Sequence, residues 1–366
     1  MSVYLLNEAL MLVWGFLFLY LMKSSRTGRW CFVTAAFLQM FLLACLRYRI
    51  GFDYDMYAQG FVLMNREGFT TLRYLDWEPG FVLLTKVIGL FTNQISLYMG
   101  ILAAICLIPW AWLIYRYSPC PGISVLLFLN LYFLYLNMNF LRQAIAISIT
   151  LFAWPFLKER KFWRFSAIIV LASLFHTTAL VLLPVYLLLC IRPGGGLFLF
   201  YAYILLFFYI SSEGILNLLT MVFHQEYANS VFLQGIPYLY ALVPLVLLIL
   251  LYVFRNQMMQ INSYNRYLIG LQFFAVFCMV MMTRHAILER LSYYAYAYSV
   301  LAVPELLHSL KPRQQLRPGM ATQRISLEKQ EVRYAVVFLA VVILTCVHHL
   351  LGLAGNVHGV VPYTML

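Results

Sequence analysis

Apolar runs of about twenty residues recur along nearly the whole chain, and no other feature restricts the fold as much. Residues 3–22, 236–254, 267–282 and 286–307 are each close to the length that crosses ~30 Å of hydrocarbon as a helix. Inside lipid every backbone N–H and C=O needs an internal partner, which leaves helices or closed barrels. Barrel strands alternate in polarity, and these runs do not. Composition agrees. The chain is 64% hydrophobic and 10% charged, against about 25% charged for a soluble domain. The sequence therefore predicts an all-α, polytopic membrane helix bundle, with 1–366 as a single multi-span domain. The first run is too long, and lacks the basic flank, for a cleaved signal peptide, so it is expected to remain as the first span.

Orientation follows from the short loops, where Lys and Arg favour the cytoplasmic side. With about twelve spans and both termini outside, seventeen of the 25 Lys and Arg residues fall inside, together with four acids. The other eight, with nine acids, face out, so the net charge of +12 arises from the cytoplasmic face. The basic balance is thus an orientation signal, and no nucleic-acid partner is needed to explain it. Residues 80–91 are apolar but too short to span, and are expected to be re-entrant or interfacial on the outer side. Residues 311–333 form a basic cytoplasmic loop expected to lie near anionic headgroups. The seven Cys residues show no metal-ligand spacing and no disulfide framework.

The eight outward cations matter because the positive-inside bias would place them elsewhere. Most sit in short polar clusters. The first lies in an outer loop expected to be catalytic, residues 47–80, which begins with Arg47, Arg49, Gly51, Asp53, Asp55 and Tyr57 and ends with Asp76-Trp77-Glu78-Pro79-Gly80. Glu78 precedes proline and is pushed towards an extended conformation at the start of the next helix. Arg66 and Arg73 read as solvated loop charges. The second cluster holds Asn137, Asn139, Arg142 and Gln143 at an outer turn between spans. An ionisable group at membrane depth is costly and usually faces the bundle interior with a partner. His176 marks a third turn. The fourth cluster comprises Arg284, His285, Glu289, Arg290, Tyr293 and Tyr294, where His285 and Glu289 would share a helical face. His348, His349 and His358 read as interface residues.

In chain order stand Arg47-x-Arg49-x-Gly51-x-Asp53-x-x-x-Tyr57, Glu78-Pro79-Gly80-Phe81, Arg142-Gln143, Phe175-His176, Glu289-Arg290 and Pro362-Tyr363. This ordered set resembles the EpsG-like branch of the Wzy-type polysaccharide polymerases over nearly the whole chain. The resemblance implies a GT-C-like fold in the bacterial inner membrane. It implies glycosyl transfer between undecaprenyl-pyrophosphate-linked glycan donor and acceptor on the periplasmic side, with room for a chain-length regulator as a further partner. It also implies a catalytic acid in the first outer loop, a position that Asp53 and Asp55 both occupy.

Such a transfer needs the departing pyrophosphate stabilised and the attacking hydroxyl deprotonated. Arginine suits the first task because its fork binds phosphate oxygens bidentately and keeps its charge. Arg47, Arg49, Arg142, Arg284 and Arg290 are the candidates. For the base, Asp53 and Glu78 are favoured, His176 is next, and Asp55 qualifies by residue type. Tyr57, Asn139, Gln143, Glu289, Tyr293, Tyr294 and Tyr363 are expected to contact sugar or lipid. No cofactor is expected, and clustered Arg could replace a divalent metal, so the reaction is expected to be metal-independent. A flippase for the same lipids and a polysaccharide ligase are the competing readings. A flippase would favour charge at mid-membrane and internal repeats.

Overall fold

A computed structural model describes residues 1–67, 77–190, 196, 199–200, 203–204, 206–211, 239–286, 288–312 and 321–365. Arg73 and Asp76, in the later part of the expected outer loop, lie outside the described residues. The described chain is helical with no strand. An isolated antiparallel bridge joins Arg47 to Met365. It divides into two compact units, Met1–Leu180 with Ile343–Leu366, and Val181–Val342.

The first unit opens with α1 (Ser2–Trp14), which continues through a π-helical stretch to Leu21, and α2 (Arg26–Cys45). The Ser25 hydroxyl caps α2 by accepting the Gly28 N–H at 3.1 Å, satisfying one of the donors a helix start leaves open. Next come α3 (Tyr54–Glu67), α4 (Pro79–Gly89) and α5 (Ile95–Tyr117). Pro79 occupies the first turn of α4, and Glu78 ahead of it is extended, as the dipeptide predicts. Eleven residues make α4 only ~16 Å long, too short to cross. Then follow α6 (Pro121–Asn130), α7 (Phe133–Asn139), α8 (Leu141–Leu151) and α9 (Phe162–Ser173). Tyr132, at φ +65°, breaks α6 from α7, and the two are bent by 49°.

The second unit contains α10 (Leu182–Leu189), α11 (Leu239–Val253), α12 (Arg255–Ile261), α13 (Asn265–Met281), α14 (Leu288–Tyr296) and α15 (Ser299–Leu310). The last helix, α16 (Ala321–Ala354), begins in this unit, and from Ile343 onward it belongs to the first. Of the expected basic loop 311–333, residues 313–320 lie outside the described residues, and the part from Ala321 is helical.

By length and apolarity, four described helices can cross a membrane: Ser2–Leu21, Arg26–Cys45, Ile95–Tyr117 and Glu328–Ala354. Two bent pairs raise this to six. The chain is therefore a polytopic helical membrane protein. Within the described residues several of the apolar runs are interrupted. The run 286–307 is split between α14 and α15 at Ala297–Tyr298, and α13 is 17 residues long. Hydropathy averages over such breaks, whereas a helix cannot.

Candidate functional site

Three of the sequence clusters meet in the first unit. Glu78 lies at the start of α4, Arg142 is the second residue of α8, and His176 stands in the turn after α9. Glu78 Oε2 accepts from Arg142 Nη1 at 2.6 Å, and Glu78 Oε1 pairs with His176 Nδ1 at 2.6 Å. The side chains of Glu78, His176 and Arg142 are 11%, 12% and 21% exposed, so water screens these contacts only partly.

Backbone geometry explains how 64 and 98 residues of separation are closed. The Gly80 N–H donates to Leu174 O at 2.8 Å, docking the start of α4 on the turn that carries His176. A Cβ at Gly80 would come within 2.7 Å of that same carbonyl oxygen, a backbone atom that cannot rotate away. Tyr57 supports the third member. Its hydroxyl lies 3.5 Å from the Arg142 N–H, and its ring packs against Trp77 and Phe81. Asp53 sits in the turn before α3, close enough for its charge to act on the Tyr57 phenol.

Burial, the largest influence on Glu78, raises its pKa, but the His176 hydrogen bond and the Arg142 charge pull it below the ordinary carboxylate range. A carboxylate held ionised by two partners is a weak proton acceptor. It is an effective orienter. An anionic oxygen facing Nδ1 places the imidazole proton there and leaves Nε2 as the acceptor of the neutral ring. Nε2 is buried, without a hydrogen-bond partner among the described residues. In this geometry Glu78 is placed to orient the His176 ring, whose Nε2 points away from the carboxylate.

The other candidates of the first loop separate. Arg47 is 2% exposed, its guanidinium 5.8 Å from the Tyr54 ring centroid. Among the described residues no carboxylate pairs with it, and Nε and Nη1 lack hydrogen-bond partners. Burial lowers its pKa to about 10, which still leaves a cation at neutral pH. Arg49 instead pairs with Asp55, at 2.9 Å between Nη2 and Oδ2. These side chains are 61% and 49% exposed, so neither resembles a buried base or an uncommitted anion receptor.

Two of the expected sugar contacts are engaged in hydrogen bonds within the protein. Asn139 Oδ1 accepts the Phe52 N–H at 2.7 Å, and its Nδ2 donates to Tyr135 O and His358 O at 3.0 Å each. Buried and bonded at both ends, this amide clamps the backbone of the first outer loop. It also explains Gly51, whose φ is +94° and whose added Cβ would meet Asn139 Oδ1 at 2.9 Å. The Tyr363 hydroxyl donates to Leu43 O at 2.8 Å, tying the C-terminal segment to α2. Gln143 is buried on α8, one residue beyond Arg142.

In the second unit, Glu289 Oε1 accepts from the Tyr293 hydroxyl at 2.5 Å, and Tyr293 and Tyr294 are buried. Arg284 lies 4.6 Å from the Tyr209 ring centroid, and the charge of Arg290 acts on Glu289. Since α14 begins at Leu288, His285 falls in the preceding turn and does not share a helical face with Glu289.

One buried network went unread in the sequence. Glu8 Oε1 pairs with His349 Nδ1 at 2.5 Å, and His349 Nε2 lies 2.6 Å from the Tyr135 hydroxyl. His349 is fully buried. An acid inside the first apolar run and a His inside the last were the available signal; 341 residues hide the pairing. Among the described residues no three His, Cys, Asp or Glu side chains are grouped to hold a metal.

A carboxylate-oriented imidazole beside a guanidinium can take a proton while an anion is held nearby. No curated protein and no solved structure matches the chain. The sequence model of the EpsG family matches residues 30–317, well over half the length and including Glu78, Arg142 and His176, and the chain belongs to that family.

Proposed function

We propose that this polysaccharide polymerase-like membrane protein joins undecaprenyl-pyrophosphate-linked oligosaccharide repeat units into polysaccharide at the periplasmic face of the bacterial inner membrane. The observation that carries the reading is the meeting of Glu78, Arg142 and His176 from three separate segments. The fold is GT-C-like, both termini lie outside, and the reaction proceeds without a metal. In the step, the acceptor hydroxyl oxygen attacks the donor's anomeric carbon. The bond from that carbon to the pyrophosphate oxygen breaks, and its electron pair leaves with the lipid pyrophosphate. His176 Nε2 takes the hydroxyl proton, and Glu78 holds the resulting imidazolium. Arg142 and Arg47 stabilise the departing charge, where a well-aimed donor in a shielded site contributes about 3 kcal/mol. A single base with no protein nucleophile predicts inversion at the anomeric carbon, by analogy with glycosidases.

Purified protein supplied with lipid-pyrophosphate repeat units should give a ladder of chain lengths that persists in EDTA. A single transfer to another acceptor would indicate a ligase. Movement of intact substrate across vesicles, with no new glycosidic bond, would indicate a flippase.

A further inference from the structure

The first unit holds a second polar site, set apart from the Glu78 cluster by α3. A cavity of about 700 Å³ lies between α3 and the start of α5, lined by Tyr48, Arg49, Tyr54, Asp55, Gln59 and Gln94 among others. That volume falls in the range of roughly 300–1,000 Å³ typical of small-molecule sites. One helix serves both places. Tyr57 on α3 faces Arg142, while Asp55, Gln59 and Val62 of the same helix line the cavity.

Its chemistry is specific. Arg49 and Asp55 meet through two parallel contacts, Nε to Oδ1 at 3.1 Å and Nη2 to Oδ2 at 2.9 Å. The pair cancels its own charge, so a phosphate gains little here, yet both signs of hydrogen-bonding group stay within reach of the cavity. Gln59 and Gln94 add amides that both donate and accept. Tyr48 and Tyr54, edge to face at 6.4 Å, supply aromatic surface. Neutral polyhydroxylated rings match this combination of flat apolar faces and mixed donors and acceptors.

The backbone is held for the purpose. Arg49 adopts φ +51°, a left-handed conformation that costs a non-glycine residue energy and clusters at binding sites. The C-terminal segment clamps it: the Tyr48 N–H donates to Thr364 O at 3.1 Å, and the Thr364 hydroxyl donates to Tyr48 O at 2.5 Å.

We infer that this cavity binds uncharged sugar residues of the glycan, as a subsite distinct from the pyrophosphate-binding cluster. The inference rests on the polymerase reading for the source of the glycan, which is either the incoming repeat unit or the growing chain.

The test uses detergent-purified full-length protein and a lipid-free probe: the neutral oligosaccharide released by mild acid from the host's own lipid-linked pool. Wild type and Glu78→Gln should bind it equally by saturation-transfer NMR and calorimetry. Gln59→Ala should bind about three- to tenfold more weakly, the equivalent of one hydrogen bond. Val62→Trp, which fills the cavity, should abolish binding while the melting temperature stays close to wild type. Gln94→Ala, on a different element, repeats the measurement should Val62→Trp unfold. In chain extension, Gln59→Ala should raise KM and leave kcat near wild type. Competition by the free glycan against single lipid-linked units identifies the incoming unit, and competition only against long chains identifies the growing chain. Equal binding by wild type and Val62→Trp, or no binding by wild type, overturns the subsite. A ladder with unchanged KM in these variants would do the same while sparing the polymerase reading. Cavity-dependent binding with no ladder would spare the subsite and remove the polymerase reading.

Discussion

Replacing Glu78 by Gln keeps its volume and removes its charge, and the geometry says why this should be severe. In the native site two donors, Arg142 Nη1 and His176 Nδ1, point at two anionic oxygens, each at 2.6 Å. Glutamine has one acceptor oxygen and one NH₂ group. If the oxygen stays with Arg142, the NH₂ faces Nδ1 and draws the imidazole proton to Nε2, the atom required to accept the substrate proton. A wrong tautomer of this kind should lower kcat by about 10²–10⁴, or roughly 2.7–5.5 kcal/mol of transition-state stabilisation. The stability cost should be smaller, near the lower end of ~1.5–3 kcal/mol for a hydrogen bond to a charged group, because Arg142 is 21% exposed. The assay is the initial rate of ladder formation by reconstituted protein, with melting temperature measured in parallel. A Glu78→Gln, His176→Gln double variant should be no slower than His176→Gln alone, since the pair works as a unit. A Glu78→Gln rate within about threefold of wild type, or losses that multiply in the double variant, would refute the relay.

Arg47→Met removes a buried cation that pairs with no carboxylate among the described residues, so the melting temperature should hold or rise while chain extension is lost. Retained extension with a lower melting temperature would make Arg47 a structural partner of Tyr54. Gly80→Ala should cost about 1–3 kcal/mol in unfolding experiments, because the new methyl meets the Leu174 carbonyl, and turnover should fall with it. Wild-type thermal stability there would argue that α4 does not dock through Gly80. Because the folded pKa of Glu78 is depressed, its stabilisation is complete above the unfolded value of about 4.3 and drains away as pH falls through the folded value. Melting curves of wild type and Glu78→Gln should therefore converge on acidification below about pH 4; a constant gap would remove Glu78 from the acid response.

The helical membrane class was legible in the sequence because hydrocarbon imposes a local rule: enough consecutive apolar residues, with every backbone group bonded within its own segment. The extended backbone at Glu78 was legible for a similar reason, since Pro79 restricts its immediate neighbour. The polar clusters could also be found one at a time, as costly groups in apolar surroundings. Which groups pair with which was not written locally. Arg49 turns to Asp55, Arg47 is buried against Tyr54, Arg142 joins Glu78 and His176, and Glu8 reaches His349 near the far end of the chain. Those choices depend on close approaches such as Gly80 against Leu174, and on breaks such as Tyr132 that redirect a helix. Periodicity fixes what each segment buries. Only packing in three dimensions decides which charge neutralises which, because an ion pair depends on distance in space and carries no trace of its separation along the chain.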